Sequence, residues 1–200
     1  MDTLTYILNK FNINLEREVS SRIELPFSRG ELAYLFPDLG FKIGAEIGVE
    51  QGEYSEVLIR ANPNLHLYLV DAWKAYKGYR DHTRQEKLER FFTSTIQRLS
   101  PYPNKKTFIR DFSMNAVKMF DDESLDFVYI DANHDFAHVT EDIYHWSKKV
   151  RSGGIVAGHD YYKDAIPNHI HVPYVLHGYT QAYNIKPWFV FEDSWIFVKQ

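Results

Sequence analysis

Two hundred residues with 44% hydrophobic and 25% charged side chains have ordinary globular composition, enough for one domain that buries about 70% of its unfolded surface. The absence of cysteine excludes a disulfide framework, a thiolate metal site, an iron–sulfur cluster and a cysteine nucleophile. A net charge of -4 argues against sequence-independent nucleic-acid binding, which depends on neutralising many phosphates.

The start, MDTLTYILNK, lacks the basic and apolar regions of a secretory signal, and no apolar run approaches the roughly 18 residues of a membrane helix, so a cytoplasmic protein is expected. Leu4, Ile7, Leu8 and Phe11 recur at i, i+3, i+4, i+7, which predicts an amphipathic helix. Ser28 and Glu31 form an S-x-x-E capping box ahead of Leu32, Tyr34, Leu35 and Phe36, and Pro37 and Gly40 stop that second helix. Residues 1–40 read as a helical N-terminal cap on a domain spanning 41–200. Strand-like runs follow at 42–47, 65–70, 106–110, 125–130 and 155–157. Helical faces stand between them: Tyr54, Val57, Leu58 and Ala61; a Thr83–Glu86 capping box before Leu88, Phe91, Phe92, Ile96 and Leu99; and Val139, Ile143, Trp146 and Val150, closed by Gly153 and Gly154. Two aromatic runs, 188–191 and 195–198, flank Glu192, Asp193 and Ser194 as a hairpin, so the last strand is expected to be antiparallel. The prediction is a Rossmann-like α/β domain: a seven-stranded, mostly parallel sheet with helices on both faces.

Ligands of open α/β sheets bind outside the carboxyl ends of the strands, which makes the strand-closing residues the candidates. The first parallel strand runs into Glu46-Ile47-Gly48, and Gly48 and Gly52 form a G-x-x-x-G turn opening a helix, where backbone can approach a ligand. This is not the G-x-G-x-x-G of a dinucleotide site, and Glu46 would repel a pyrophosphate while suiting an ammonium group. Asp71 closes the next strand 23 residues after Gly48, where a carboxylate accepts both hydroxyls of a ribose. Asp111 ends the third, with Phe112 and Ser113 beside it as an edge-and-face contact for an adenine. Each also has a plain structural role to weigh against these: a glycine turn, an exposed strand-end acid, a turn aspartate.

In this order and spacing, E-I-G-V-x-x-G-x-Y-S, L-V-D-A-W, D-F-V-Y-I-D-A-N-H-D-F, G-G-I-V-A-G-H-D-Y-Y and the final W-F-V…S-W-I-F-V resemble the class I S-adenosylmethionine-dependent methyltransferases. More narrowly they resemble the compact branch with D-x-x-H and G-H-D-Y motifs met among small-molecule and sugar O-methyltransferases. The resemblance covers residues 41–200. It implies a cofactor lying with its methionine portion on Glu46 and Gly48, its ribose on Asp71 and its adenine on Asp111 and Phe112.

A second cluster, Asp131, Asn133, His134, His159 and Asp160, closes the adjacent central strands. Methyl transfer to oxygen needs a base or a metal at the hydroxyl. Related metal-dependent O-methyltransferases carry an Asp at the end of strand four, a Lys three residues later and an Asp-Asp or Asp-Asn pair after strand five. Here His134 stands in the lysine's place and His159-Asp160 in that of the pair. Two readings follow: His134 as base without metal, or Asp131, His159 and Asp160 holding a divalent cation such as Mg. Residues 74–90 carry a run of charge that reads as a solvated face or as the rim of a substrate entrance, and Trp73, Tyr76, Tyr79, Tyr161 and Tyr162 read as substrate wall or as packing. Rival functions are cofactor binding without transfer and another transferase on this fold, such as an aminopropyltransferase, which would want an acidic trough.

Overall fold

The computed structural model describes residues 1–16, 20–76, 84–103, 105–162 and 168–200. In chain order the elements are α1 (Thr3–Lys10), β1 (Arg22–Glu24), α2 (Arg29–Asp38), β2 (Ile43–Ile47), α3 (Glu53–Ala61), β3 (His66–Val70), α4 (Gln85–Leu99), β4 (Lys106–Ile109), the one-turn α5 (Ser113–Ala116), β5 (Leu125–Ile130), α6 (Phe136–Lys149), β6 (Val150–Gly158), α7 (Val172–Ala182), β7 (Trp188–Phe191) and β8 (Ser194–Val198). The strands form one sheet in the order β1-β7-β8-β6-β5-β2-β3-β4. β8 runs antiparallel to both neighbours and every other pairing is parallel.

Alternation along the strands separates two apolar layers. Phe127 and Tyr129 of β5 join Leu32, Leu58 and Leu88 of α2, α3 and α4 on one face. Val128 and Ile130 join Ile143 and Trp146 of α6 and Leu176 of α7 on the other. Among the described residues no helix is long and apolar enough to cross a membrane.

The sheet has eight strands, one more than expected, because Arg22–Glu24 of the N-terminal segment pairs parallel with β7. Three residues that bury only Ile23 are too short an alternation to read in sequence. The segment is therefore not purely helical. Gly153 and Gly154 do not close α6; Val150 turns extended, at φ -81 and ψ 132, and both glycines lie inside β6. A Cβ on Gly154 would stand 2.4 Å from the Asp126 carbonyl oxygen, so the residue serves close approach of β6 to β5. Helix α7 had not been expected: its buried Val172, Val175 and Leu176 mark a helical stripe that Gly178 interrupts. Thr83, of the second capping box, lies outside the described residues.

The first capping box is formed reciprocally, with Glu31 N donating to Ser28 Oγ at 3.2 Å and Ser28 N to Glu31 Oε2 at 2.8 Å. It fixes Arg29 in the first turn of α2, where its own N–H donates to Glu192 Oε2 at 2.9 Å. At the sheet's centre β2 pairs β3 on one side and β5 on the other. Connections diverge there, leaving a crevice at the carboxyl ends.

Candidate active site

A cavity of about 500 Å³ fills that crevice, with Arg29, Glu46, Gly48, Asp71, Asp131 and His134 in its wall. This volume lies within the usual range of small-molecule sites. The turn after β2 makes room for it. Gly48 adopts φ +90, and a Cβ there would stand 2.0 Å from the Asp131 carbonyl oxygen, so a glycine is required by the backbone of β5. Gly52, at φ +72, would place a Cβ 2.8 Å from Thr95 Cγ2; its demand is the packing of α3 on α4.

Asp71 anchors this turn. Its Oδ2 accepts from the backbone N–H of Val49 at 3.1 Å and Glu50 at 2.9 Å, and its Oδ1 from that of Trp73 at 2.8 Å. A carboxylate has about four acceptor positions, so capacity for a ligand hydroxyl remains. Asp111 also lines the cavity, with Oδ1 accepting from Phe112 N at 2.7 Å and Asn115 Nδ2 at 2.9 Å. The Phe112 ring meets Tyr76 edge-on at 5.3 Å, and the Tyr76 hydroxyl accepts from Asn133 Nδ2 at 3.2 Å. Tyr76 is thus cavity wall. Trp73 and Tyr161 are instead buried core, the first against Phe92 and the second holding Arg22 and His177 through its hydroxyl. Tyr79 lies outside the described residues.

Below the turn sits a charged group that sequence spacing did not join. Glu46 is buried and accepts from Ser55 Oγ. Burial pushes its carboxyl up to about 8, against the opposing effects of Ser55 and the Arg29 charge. Arg29 Nη2 donates to Asp131 Oδ2 at 2.8 Å, while its guanidinium lies over the Tyr54 ring at 4.2 Å and the Tyr129 ring at 5.0 Å. Asp142 of α6 was likewise missed. Buried in the cavity wall and accepting from Ser113 Oγ, its carboxyl is pushed up by burial to about 7.

His134 stands between two carboxylates, with Nε2 2.8 Å from Asp160 Oδ2 and 3.8 Å from Asp131 Oδ1. Burial works to lower its pKa, but the two carboxylates outweigh burial and raise it to about 9. Asp160 adopts φ 60, and although burial acts to raise its carboxyl, His134 and His159 hold it well below the usual range. The loop carrying His134 is pinned to α7 by His171 N, which donates to the His134 carbonyl at 2.8 Å, and by Phe136 N, which donates to His171 Nδ1 at 2.9 Å.

The ligand atoms of Asp131, His134 and Asp160 lie within 4.8 Å of one another. The sequence-derived trio had His159 instead of His134; His159 Nδ1 stands 3.6 Å from Asp160 Oδ2, and His159 is not in the group found among the described residues. Two carboxylates and an imidazole are a donor set that suits a divalent ion of borderline hardness.

Residues 45–161, more than half of the chain, match the family described as Methyltransferase domain. The chain belongs to that family. It is a class I S-adenosylmethionine-dependent methyltransferase, as its motifs implied. No curated protein matches the sequence. Among solved structures, a Staphylococcus aureus protein provisionally described as a caffeoyl-CoA O-methyltransferase aligns at 12% identity over 98% of this chain and 91% of its own, with a TM-score of 0.65. The O-methyltransferase from Bacillus cereus in complex with SAH aligns at 16% identity over 98% and 90%, with a TM-score of 0.59. The N-methyltransferase NodS from Bradyrhizobium japonicum aligns at 14% over 86% and 94%, with a TM-score of 0.56. At such identities the methyltransferase shares their fold alone. Because both oxygen and nitrogen acceptors are named among them, acceptor chemistry has to be argued from the site.

Proposed function

We propose that this methyltransferase moves a methyl group from S-adenosylmethionine to a hydroxyl of a small molecule or sugar, with His134 accepting the hydroxyl proton. The observation that carries the reading is the His134–Asp160 pair, 2.8 Å long, which places an imidazole held by a carboxylate in the wall of the cavity at His134. S-adenosylmethionine bound there supplies a methyl group on a positively charged sulfur. Asp71 offers its remaining acceptor capacity to ribose hydroxyls, Phe112 and Tyr76 offer rings to the adenine, and Glu46 offers an acidic side chain whose charged form an arriving ammonium group favours.

The charges favour the metal-free form. Asp131 and Asp160 are balanced by Arg29 and a protonated His134, so a divalent ion would have to displace that proton and sit beside the Arg29 guanidinium. With a pKa of about 9, His134 is an imidazolium at neutral pH in the free protein, and a cation entering the cavity makes that proton easier to lose. The hydroxyl-to-methyl step then relies on Asp160 to hold the ring and on the β5–α6 loop to hold the distance.

The test is transfer of labelled methyl to pooled phenolic and sugar acceptors, followed across pH with and without a chelator. The rate is expected to rise with pH along a limb no higher than about 9. Asp160→Asn should move that limb to lower pH, since it removes a carboxylate that favours the charged ring, and chelator should leave the rate unchanged. Loss of activity on chelation, restored by added metal, would assign Asp131, His134 and Asp160 to an ion instead. Labelling of amines alone would replace the hydroxyl acceptor with nitrogen.

Asp71→Ala is expected to weaken S-adenosylhomocysteine binding more than about tenfold, by loss of charge-assisted bonds. It should also cost about 2–5 kcal/mol of stability, because three backbone donors, two of them buried, lose their acceptor. Calorimetry together with urea unfolding reads both; unchanged affinity in a folded variant would remove Asp71 from the ribose site.

A further inference from the structure

Arg29 enters the cavity from outside the family-matched segment, which begins at residue 45. Its guanidinium carbon lies over the Tyr54 and Tyr129 rings, at 4.2 Å and 5.0 Å, so what it offers a ligand is its N–H groups. One of these donors, Nη2, is taken by Asp131 at 2.8 Å. Its Nε is buried and has no hydrogen-bond partner among the described residues. A buried guanidinium N–H left without an acceptor is destabilising, and a bound anion would satisfy it.

The sheet order says which part of a ligand reaches it. Along β5-β2-β3-β4, Asp111 follows β4 at the adenine end and Asp71 follows β3 at the ribose. Asp131 follows β5 on the far side of β2, with Arg29 paired to it. The portion of S-adenosylmethionine beyond the ribose is an amino acid carrying both an ammonium and a carboxylate. Glu46 answers the ammonium; the carboxylate calls for charged donors, and the Arg29 guanidinium lines the cavity beside Asp131.

We infer that Arg29 binds the carboxylate of the cofactor's methionine portion, so that the N-terminal segment completes the cofactor site. The inference rests on the cofactor reading above. Arg29 is a binding residue with two anionic partners, Asp131 and the ligand carboxylate, on different donors of one guanidinium. A planar fork serves both at once, whereas a lysine ammonium is a point charge.

The experiment is calorimetry of the full chain with two probes, S-adenosylhomocysteine and 5′-methylthioadenosine, which keeps the adenosine and thioether but has no amino acid. Arg29→Met should weaken the first by at least about tenfold and leave the second within about twofold. Arg29→Lys should lower the ratio of the two affinities in the same direction by a smaller factor. It decides the matter if the methionine variant does not fold. Equal weakening of both probes, or weakening of neither, overturns the inference and leaves Arg29 as a structural partner of Asp131. If the wild-type chain binds neither probe, the cofactor reading itself falls, and this inference with it.

Discussion

His134→Ala is expected to lower turnover by about 10²- to 10⁴-fold while leaving the affinity for S-adenosylhomocysteine within about twofold. The asymmetry follows from position. His134 pairs with Asp160 and Asp131, whereas the cofactor's ammonium, ribose and adenine are assigned to Glu46, Asp71 and Phe112. Stability supplies a second readout. The pKa of His134 is raised in the folded state, so its ion pairs stabilise the protein fully below about pH 6.5, its unfolded value, and the stabilisation is lost as pH climbs through about 9. Wild-type melting temperature should fall across that window, and the alanine variant should be flatter. Activity that survives both His134→Ala and chelator would mean that proton transfer is not assisted at this position, and that catalysis rests on holding an already reactive nucleophile against the methyl group.

Gly48→Val should unfold the protein or destabilise it by about 3 kcal/mol or more, with loss of cofactor binding as a consequence. Two costs add. The backbone sits at φ +90, and the first side-chain carbon would lie 2.0 Å from the Asp131 carbonyl oxygen and 2.8 Å from Ala132 Cα, which are main-chain atoms of the strand-end carrying the reactive cluster. The residue therefore protects the β2–β5 contact, a packing role that stands beside the approach to a ligand for which the motif singled it out. Gly178→Ala in α7 is the control: nothing lies within 4 Å of its Cβ position, and it should stabilise by about 0.5–1 kcal/mol. Urea midpoints of both variants test the contrast. A folded Gly48→Val protein with normal binding would contradict the packing argument.

The chain order of the parallel strands after β1, the antiparallel end and the capping box at Ser28 and Glu31 were legible in the sequence, because each is written in residues close together. Alternation of period two, a helix stripe and an S-x-x-E are local patterns, and their physical basis is the geometry of one strand or one turn. The candidate positions were legible for the same reason. Strand ends in a parallel sheet all emerge at one edge, so Glu46, Asp71, Asp111, Asp131 and Asp160 were bound to lie near one crevice once the alternation was recognised.

Which of these residues touch was decided by tertiary structure alone. Arg29 and Asp131 are 102 positions apart, and nothing periodic connects a first-turn arginine of α2 to the end of β5. Of two adjacent residues, Asp160 meets His134 and His159 stays outside the trio found among the described residues. Trp73 and Tyr161 had the composition of a substrate wall and became core, since burial depends on what packs above a residue. Sequence patterns record the forces acting within an element; distances between elements come from how two apolar layers close around a shared sheet, and the chemistry of this cavity depends on those distances.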